Sequence, residues 1–401
     1  MRTELVGIEL WDGLTSRGPS TIRWEFDGAD ARFTAVDTVV GGSRPTLTVI
    51  PGLIDTHVHL VGNAGPGSPD LLTWPLVTRP EEQVLHALAN ARAALAAGVT
   101  TLRDLAANDV QFSLRRAIDA GIVEGPRLQA FGMVGMTAGH ADMFTPAAVA
   151  LRPPTADGPD ECRKLVRQYA RAGADGIKIA TSGGVLSVGD NSAWRNHTRD
   201  EIAAIVDEAH SLGMRVAAHA HTEDGIRIAL EERVDSLEHA TLISAELACA
   251  AVVAGVTVAP TILINDVIAV GRAGVSSEQA AKARELVERR DALLLEAAGL
   301  GVDFVLGTDA NGHHVAFGDQ LAEVRRMAEL FGWTAARALE SATSRAAAAI
   351  GRASDLGRVS PGYLADFVVL DSRPAEDVAG LAAQHLVAVV SRGRVVAGSL
   401  D

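Results

Sequence analysis

The sequence predicts an α/β fold, a (β/α)8 TIM barrel with a small β-sandwich formed by both chain ends. Three observations predict it. Between residue 51 and about residue 350, eight short apolar runs alternate with longer Ala-, Glu- and Arg-rich stretches. Both chain ends are short, β-rich pieces without a core of their own. Side chains of ligand type fall where the apolar runs stop, which is where barrel enzymes place active residues.

Taken in order, residues 1–50 read as β segments joined by turns, at 5–10, 21–24 and 35–40, and supply the first part of the sandwich. Val49-Ile50 and Leu53-Ile54 then read as strand, with Pro51-Gly52 a bend between them. The eight barrel strands are expected at 52–59, 99–104, 127–132, 176–181, 215–221, 235–240, 256–261 and 303–309. Helical stretches lie between them, among them 81–97, 160–172, 199–212, 244–254 and 277–299. Strands alternating with helices argue for a parallel sheet. Eight such units fit a closed barrel better than an open sheet. The barrel is expected over 51–354, and 355–401 is expected to complete the sandwich with β segments at 365–370 and 385–396.

The chain has 401 residues, long enough for a sizeable core. Apolar residues make up 48% and aromatics 4%, so Ala, Val and Leu fill that core. Asp and Glu number 50 against 36 Lys and Arg, a net charge of −14 that repels nucleic acid and anionic membranes. Cys162 and Cys249 cannot form a disulfide framework, so a reducing, cytoplasmic setting is expected. The start, Met1-Arg2-Thr3-Glu4-Leu5, has no apolar leader, and no apolar stretch reaches the ~18–20 residues of a membrane span. A small molecule is the expected partner, and a homo-oligomer is compatible with the sequence.

His57 and His59 end the first barrel strand. Residues two apart on a strand share a face, so both imidazoles can reach one ion. Four further runs carry ligand-type residues: Lys178, then His219 with His221 in phase, then His239, then Asp309. Singly, each has a plain structural reading: an edge lysine, core histidines, a helix-capping aspartate. Together, at matching strand ends, they point to divalent metal, because His and carboxylate suit borderline ions such as zinc. Lys178 among histidines is chemically odd unless CO2 converts it to an anionic carbamate able to bridge two ions, and desolvation favours the neutral amine that step needs. His221 stays open between ligand, substrate contact and structural partner. Ser182-Gly183-Gly184 lacks the Lys-Ser/Thr ending of a phosphate loop and reads as a turn bringing backbone close to the site. Residues 62–78 read as a lid or a rigid surface loop. Trp194 and Arg195 lie in the loop after the fourth strand, where Arg195 reads as a solvated arginine or a contact for a substrate carboxylate and Trp194 as a contact for an apolar group, and His313 and His314 lie in a loop without an assigned role.

At this point the chain resembles the amidohydrolase superfamily over nearly its whole length. The motifs are Pro51-Gly52-Leu53-Ile54-Asp55-Thr56-His57-Val58-His59, Gly98-Val99-Thr100-Thr101-Leu102-Arg103-Asp104, Glu238-His239-Ala240, Gly307-Thr308-Asp309-Ala310 and the stretch from Gly357 to Asp366. Gly125-Pro126-Arg127, Gly139-His140-Ala141-Asp142, Gly176-Ile177-Lys178-Ile179 and His219-Ala220-His221 resemble the imidazolonepropionase-related branch, which includes Xaa-Pro dipeptidases and ochratoxin-type amidases. The resemblance implies two divalent ions, usually Zn2+. His57, His59 and Asp309 hold one, His219 and His239 the other, and carboxylated Lys178 and a hydroxide bridge them. It also implies that Asp309 moves the proton during attack on a carbonyl, and that His140 contacts the substrate carbonyl. The segment after Asp309 departs from the branch, with Ala310-Asn311-Gly312-His313-His314 in place of Ala-Gly.

The expected function is hydrolysis of an amide bond, as in a dipeptide of Xaa-Pro type or an N-acyl amino acid. The alternatives are hydrolysis of a cyclic amide, lactone or phosphotriester, a decarboxylase or lyase reaction on the same site, or deamination, against which Lys178 argues and for which Glu223 is the one hint. A non-enzymatic scaffold on this fold is disfavoured because every ligand type is present. Manganese, cobalt, nickel or iron would also fit such ligands.

Overall fold

The computed structural model describes residues 3–39, 44–65, 71–187, 189–271 and 274–400. Its strands are β1 (Glu4–Trp11), β2 (Ser16–Asp27), β3 (Asp30–Thr38), β4 (Thr48–Pro51), β5 (Leu53–Val58), β6 (Val99–Ala107), β7 (Arg127–Met133), β8 (Gly176–Ala180), β9 (Arg215–Ala220), β10 (Ser236–His239), β11 (Thr257–Ala259), β12 (Phe367–Leu370), β13 (Leu386–Ser391) and β14 (Arg394–Gly398). Its helices are α1 (Trp74–Val77), α2 (Pro80–Ala96), α3 (Asp109–Asp119), α4 (Pro159–Ala172), α5 (Arg199–Ser211), α6 (Glu223–Glu231), α7 (Ala245–Ala254), α8 (Ile262–Val270), α9 (Ser277–Gly299), α10 (Gln320–Phe331), α11 (Ala335–Ser341) and α12 (Ser344–Ala349).

Strands β5 to β11 form one parallel sheet in sequence order. They are buried on both faces, so they read as continuous apolar runs rather than alternating ones. Ile177, Val216, Leu237 and Val258 pack outward against the helices in one apolar core. Helix starts are specified locally: Asn108 with Gln111, Thr198 with Glu201 and Ser276 with Gln279 each form a capping box.

The eighth expected strand, 303–309, is not a continuous strand. It closes the barrel through isolated parallel bridges, Phe304 to Val258 and Ala310 to Val58. Val305 N donates to Val258 O at 3.0 Å, and Thr56 N donates to Leu306 O at 2.9 Å. Beyond that the ladder breaks, because Asp309 adopts a left-handed φ of 56° and both Thr308 N and Asp309 N turn to His57 O. Asp is among the few residues that accept this conformation readily.

The chain ends build a second, mixed sheet in the order β14-β13-β12-β4-β1-β2-β3. The expected sandwich is this one sheet folded over on itself. Trp24 of β2 and Phe367 of β12, three places apart in strand order, meet with ring centroids 5.2 Å apart, and Phe33 of β3 reaches Phe367 at 5.9 Å. Strands β4 and β5 are one nearly continuous segment shared by both sheets. Gly52 sits at the crossover, donating to Asp366 O at 2.9 Å, where a Cβ would overlap the Thr100 side chain. Among the described residues no helix is long and apolar enough to cross a membrane.

Candidate active site

Every ligand-type residue singled out in the sequence lies at one end of the barrel. His57 is the last residue but one of β5, before Val58, with His59 just beyond the strand, Lys178 lies in β8, His219 in β9 with His221 just beyond, His239 ends β10, and Asp309 ends the eighth segment. Donor atoms of His219, His221 and His239 lie within 4.8 Å of one another, as do those of His57, His239 and Asp309. His239 belongs to both groups and has a left-handed φ of 69°, which turns the chain sharply at the strand end. Asp309 Oδ1 is 3.0 Å from His59 Nε2 and 3.7 Å from His57 Nε2.

Burial sets the protonation states. It pushes His57 down to about 4, with the positive charge of Lys178 adding to the effect. Burial, then His140, pushes His221 down to about 3. His219 and His239 are driven well below the ordinary imidazole value for the same leading reason. Neutral imidazole is the form that ligates metal. Burial alone would raise the Asp309 carboxyl, but His57, His59 and Lys178 outweigh it and bring it down to about 2. Lys178 is 4% exposed, its Nζ has no hydrogen-bond partner, and burial lowers it to about 8. An unpaired ammonium is costly there, whereas a deprotonated amine is not. The donor set and the orphaned Nζ therefore fit the binding of divalent metal.

A shell that sequence reading did not resolve holds these side chains. His239 Nδ1 lies 2.6 Å from Thr261 Oγ1, and His221 Nδ1 lies 2.8 Å from Thr241 Oγ1. His57 Nδ1 approaches Glu238 Oε2 to 2.9 Å, outside hydrogen-bond geometry. Glu238 is in turn gripped by Arg103 Nη2 at 2.8 Å and by Ser236 Oγ at 2.7 Å. Burial raises the Glu238 carboxyl, but Arg103, His57 and Lys178 overcome this and keep it ionised. Asp55 accepts from Thr308 Oγ1 at 2.6 Å and so ties the first motif to the last. Glu238 and Asp55 stand inside the quoted motifs, and that adjacency was the available signal. Thr241 and Thr261 carried none.

His140 stacks on His219 with centroids 4.3 Å apart. It pairs with Ser187 Oγ at 2.9 Å and Asp190 Oδ2 at 3.3 Å, not with Asp142, which Arg152 holds at 2.6 Å. The Gly-rich turn does bring backbone close: Gly183 O is 3.2 Å from His219 Nε2, and a Cβ on Gly184 would overlap the His140 ring. Trp194 and Arg195 are exposed and stand outside the cavity wall, as do His313 and His314. Glu223 is exposed on the first turn of α6, away from the site.

A cavity of about 630 Å³ opens over the site. The segment expected as a lid contributes Leu71, Leu72, Pro75 and Leu76 to its wall, and residues 66–70 of that segment lie outside the described residues.

Comparison with known proteins agrees with this geometry. The model of the Amidohydrolase family matches residues 48–396. The chain is 31% identical over 350 residues to ochratoxinase of Aspergillus niger, covering 82% of this chain and 71% of that one. Among solved structures it is similar to a Xaa-Pro dipeptidase with bound methionine in the active site, with a TM-score of 0.86, 30% identity, and 97% and 98% of the two chains covered. It is likewise similar to a prolidase complexed with N-methylphosphonate-L-proline, with a TM-score of 0.87, 30% identity and 98% of each chain covered. A family match over residues 48–396, most of the chain, identifies this protein as a member of the amidohydrolase family.

Proposed function

We propose that this protein hydrolyses the amide bond of a small molecule at a binuclear metal site. The observation that carries the reading is Lys178 Nζ, buried and unpartnered among the site histidines. His57, His59 and Asp309 would hold one ion and His219 and His239 the other, zinc foremost, with the carbamate of Lys178 between them. Bound ions of this kind lower the pKa of a water and polarise a carbonyl.

The residues of the chain do the rest. Asp309 is ionised well below neutral pH, so its carboxylate can take the proton of the attacking water and deliver it to the leaving amine. His140 has Nδ1 engaged by Ser187 and Asp190, which leaves Nε2 as the nitrogen to meet a substrate carbonyl. Arg103, through Glu238, fixes the His57 ring. The apolar wall limits water around the scissile bond. The ochratoxinase and dipeptidase likenesses support a linear amide, such as an Xaa-Pro dipeptide or an N-acyl amino acid.

Zinc-loaded protein incubated with Xaa-Pro dipeptides, N-acyl amino acids, neutral amides, cyclic imides, lactones and a phosphotriester, with products read by mass spectrometry, tests this. Cleavage of a linear amide by wild type, and none by metal-retaining Asp309→Asn, is expected. Turnover confined to the cyclic or phosphate substrates would sink it.

A further inference from the structure

We propose that the part of the substrate filling the cavity is apolar and uncharged, oriented by the carboxamide of Asn265. This rests on the hydrolase reading and, within it, favours a neutral amide over the Xaa-Pro dipeptide and the N-acyl amino acid, both of which carry a carboxylate. Besides the histidines, the wall is built from side chains such as Val61, Leu76, Phe144, Leu186, Ile264 and Ile268. Leu151, 78% exposed, lies at the rim, so the route inward is apolar as well.

A substrate carboxylate away from the metal site would need a cation, and among the described residues that part of the wall offers none free. Among the described residues the cavity is lined by two cationic side chains of the Lys and Arg type, Lys178 at the centre and Arg152. Arg152 is fully engaged. Its Nε donates to Asp142 Oδ1 at 2.6 Å, Nη1 to Pro146 O at 3.2 Å and Val149 O at 3.4 Å, and Nη2 to Asp142 O at 2.7 Å and Thr145 O at 2.9 Å. Burying a carboxylate against the remaining wall would go uncompensated.

Apart from His57 and Lys178 at the histidine cluster, one buried polar side-chain atom among the described wall residues lacks a partner. Asn265, on α8 between the wall residues Ile264 and Ile268, is 2% exposed, and its Nδ2 has no hydrogen-bond partner. A buried amide without a partner is uncommon and costs stability, so a bound molecule that accepts its hydrogen bond is the natural complement. Together these features describe a neutral amide with a bulky apolar group and an additional oxygen within reach of α8.

Calorimetry on the full-length protein with two ligands that resist hydrolysis, N-benzenesulfonylpyrrolidine and N-benzenesulfonyl-L-proline, isolates the carboxylate. The neutral ligand should bind at least ~10-fold more tightly, given the cost of an unpaired buried charge. Asn265→Leu should weaken the neutral ligand by ~3–10-fold, the worth of one hydrogen bond, while the melting temperature holds or rises because an unpaired buried amide is gone. Equal or tighter binding of the acid, no binding of either, or an Asn265→Leu variant with unchanged affinity would overturn the proposal. Hydrolysis of N-benzoylpyrrolidine is read separately. Tight neutral binding without turnover of any amide would strike the hydrolase reading and leave the cavity assignment standing.

Discussion

An ammonium ion is least welcome where Lys178 sits. Six histidines share the site, its Nζ has no partner, and burial has already moved it toward the neutral amine. Reaction of that amine with CO2 replaces a cation by an anion and turns a repulsive centre into an attractive one for metal. Native mass spectrometry at neutral pH, with metal analysis alongside, should find one CO2 and two metal equivalents on the wild type and neither in full on Lys178→Ala. Full metal occupancy in that variant would remove the carbamate from the account. The side chains at the centre were legible in the sequence because strand-end position and the two-residue period of β structure restrict where such residues can point. What orders them was not. Asp190 and Ser187 reach His140 from residues 47 and 50 positions later, and Arg103 reaches Glu238 across 135 positions. Such pairings depend on how strands are arranged around the barrel, and no local period encodes that.

At the scale of elements, α8 connects the wall of the cavity to the metal site. It starts at Thr261, whose hydroxyl meets His239, and whose left-handed φ of 45° leaves the helix without a side-chain cap of its own. Its first amides, Ile262 N and Leu263 N, donate instead to Glu323 of α10 at 2.6 and 2.9 Å. Burial pushes the Glu323 carboxyl from 4.5 up to about 8, although those two amides and Arg290 pull the other way. The unfolded chain therefore releases this proton near 4.5 while the folded chain keeps it to about 8. Across that window the unfolded state binds fewer protons, so the contribution of this group makes stability fall as pH rises and level off above it. Urea unfolding from about pH 5 to about pH 8 should show a steeper loss in wild type than in Glu323→Gln, which cannot ionise, and parallel curves would refute the assignment. Sequence reading assigned nothing to residues 262–270 because Ile262-Leu263-Ile264 is apolar without a period, and such a run does not distinguish helix from strand. The same limit explains the eighth barrel segment. Its apolar run placed it correctly, but the left-handed Asp309 that interrupts its ladder leaves no mark on hydrophobic pattern.

At the scale of the whole molecule, two motifs that the sequence presents separately prove to be one joint. Arg127 opens β7 on the barrel face opposite the site, and Asp366 precedes β12 of the outer sheet, 239 positions away. Arg127 Nε donates to Asp366 Oδ2 at 2.6 Å, both side chains being almost wholly buried, and Arg392 N donates to the other oxygen at 2.6 Å. Asp30 at the start of β3 takes Arg127 Nη1 at 2.8 Å. One guanidinium thus ties a barrel strand to the β3 edge and to the interior strand β12 of the folded outer sheet, and β4 running into β5 ties the two sheets through the chain itself. Removing one partner of a buried pair is costlier than the pair is worth, because the other charge stays behind in a dry place. Asp366→Ala is therefore expected to lower unfolding stability by about 3–5 kcal/mol, toward the lower end because Asp30 still neutralises part of Arg127. Urea denaturation measures it, and a loss below ~1 kcal/mol, the worth of a surface pair, would show that the joint does not hold the sheets together. Metal content at low denaturant should match wild type, because the joint lies at the N-terminal end of β7 whereas the histidines lie at the C-terminal ends of their strands. A variant that lost metal before it lost its fold would instead mean that the outer sheet sets the geometry of the site.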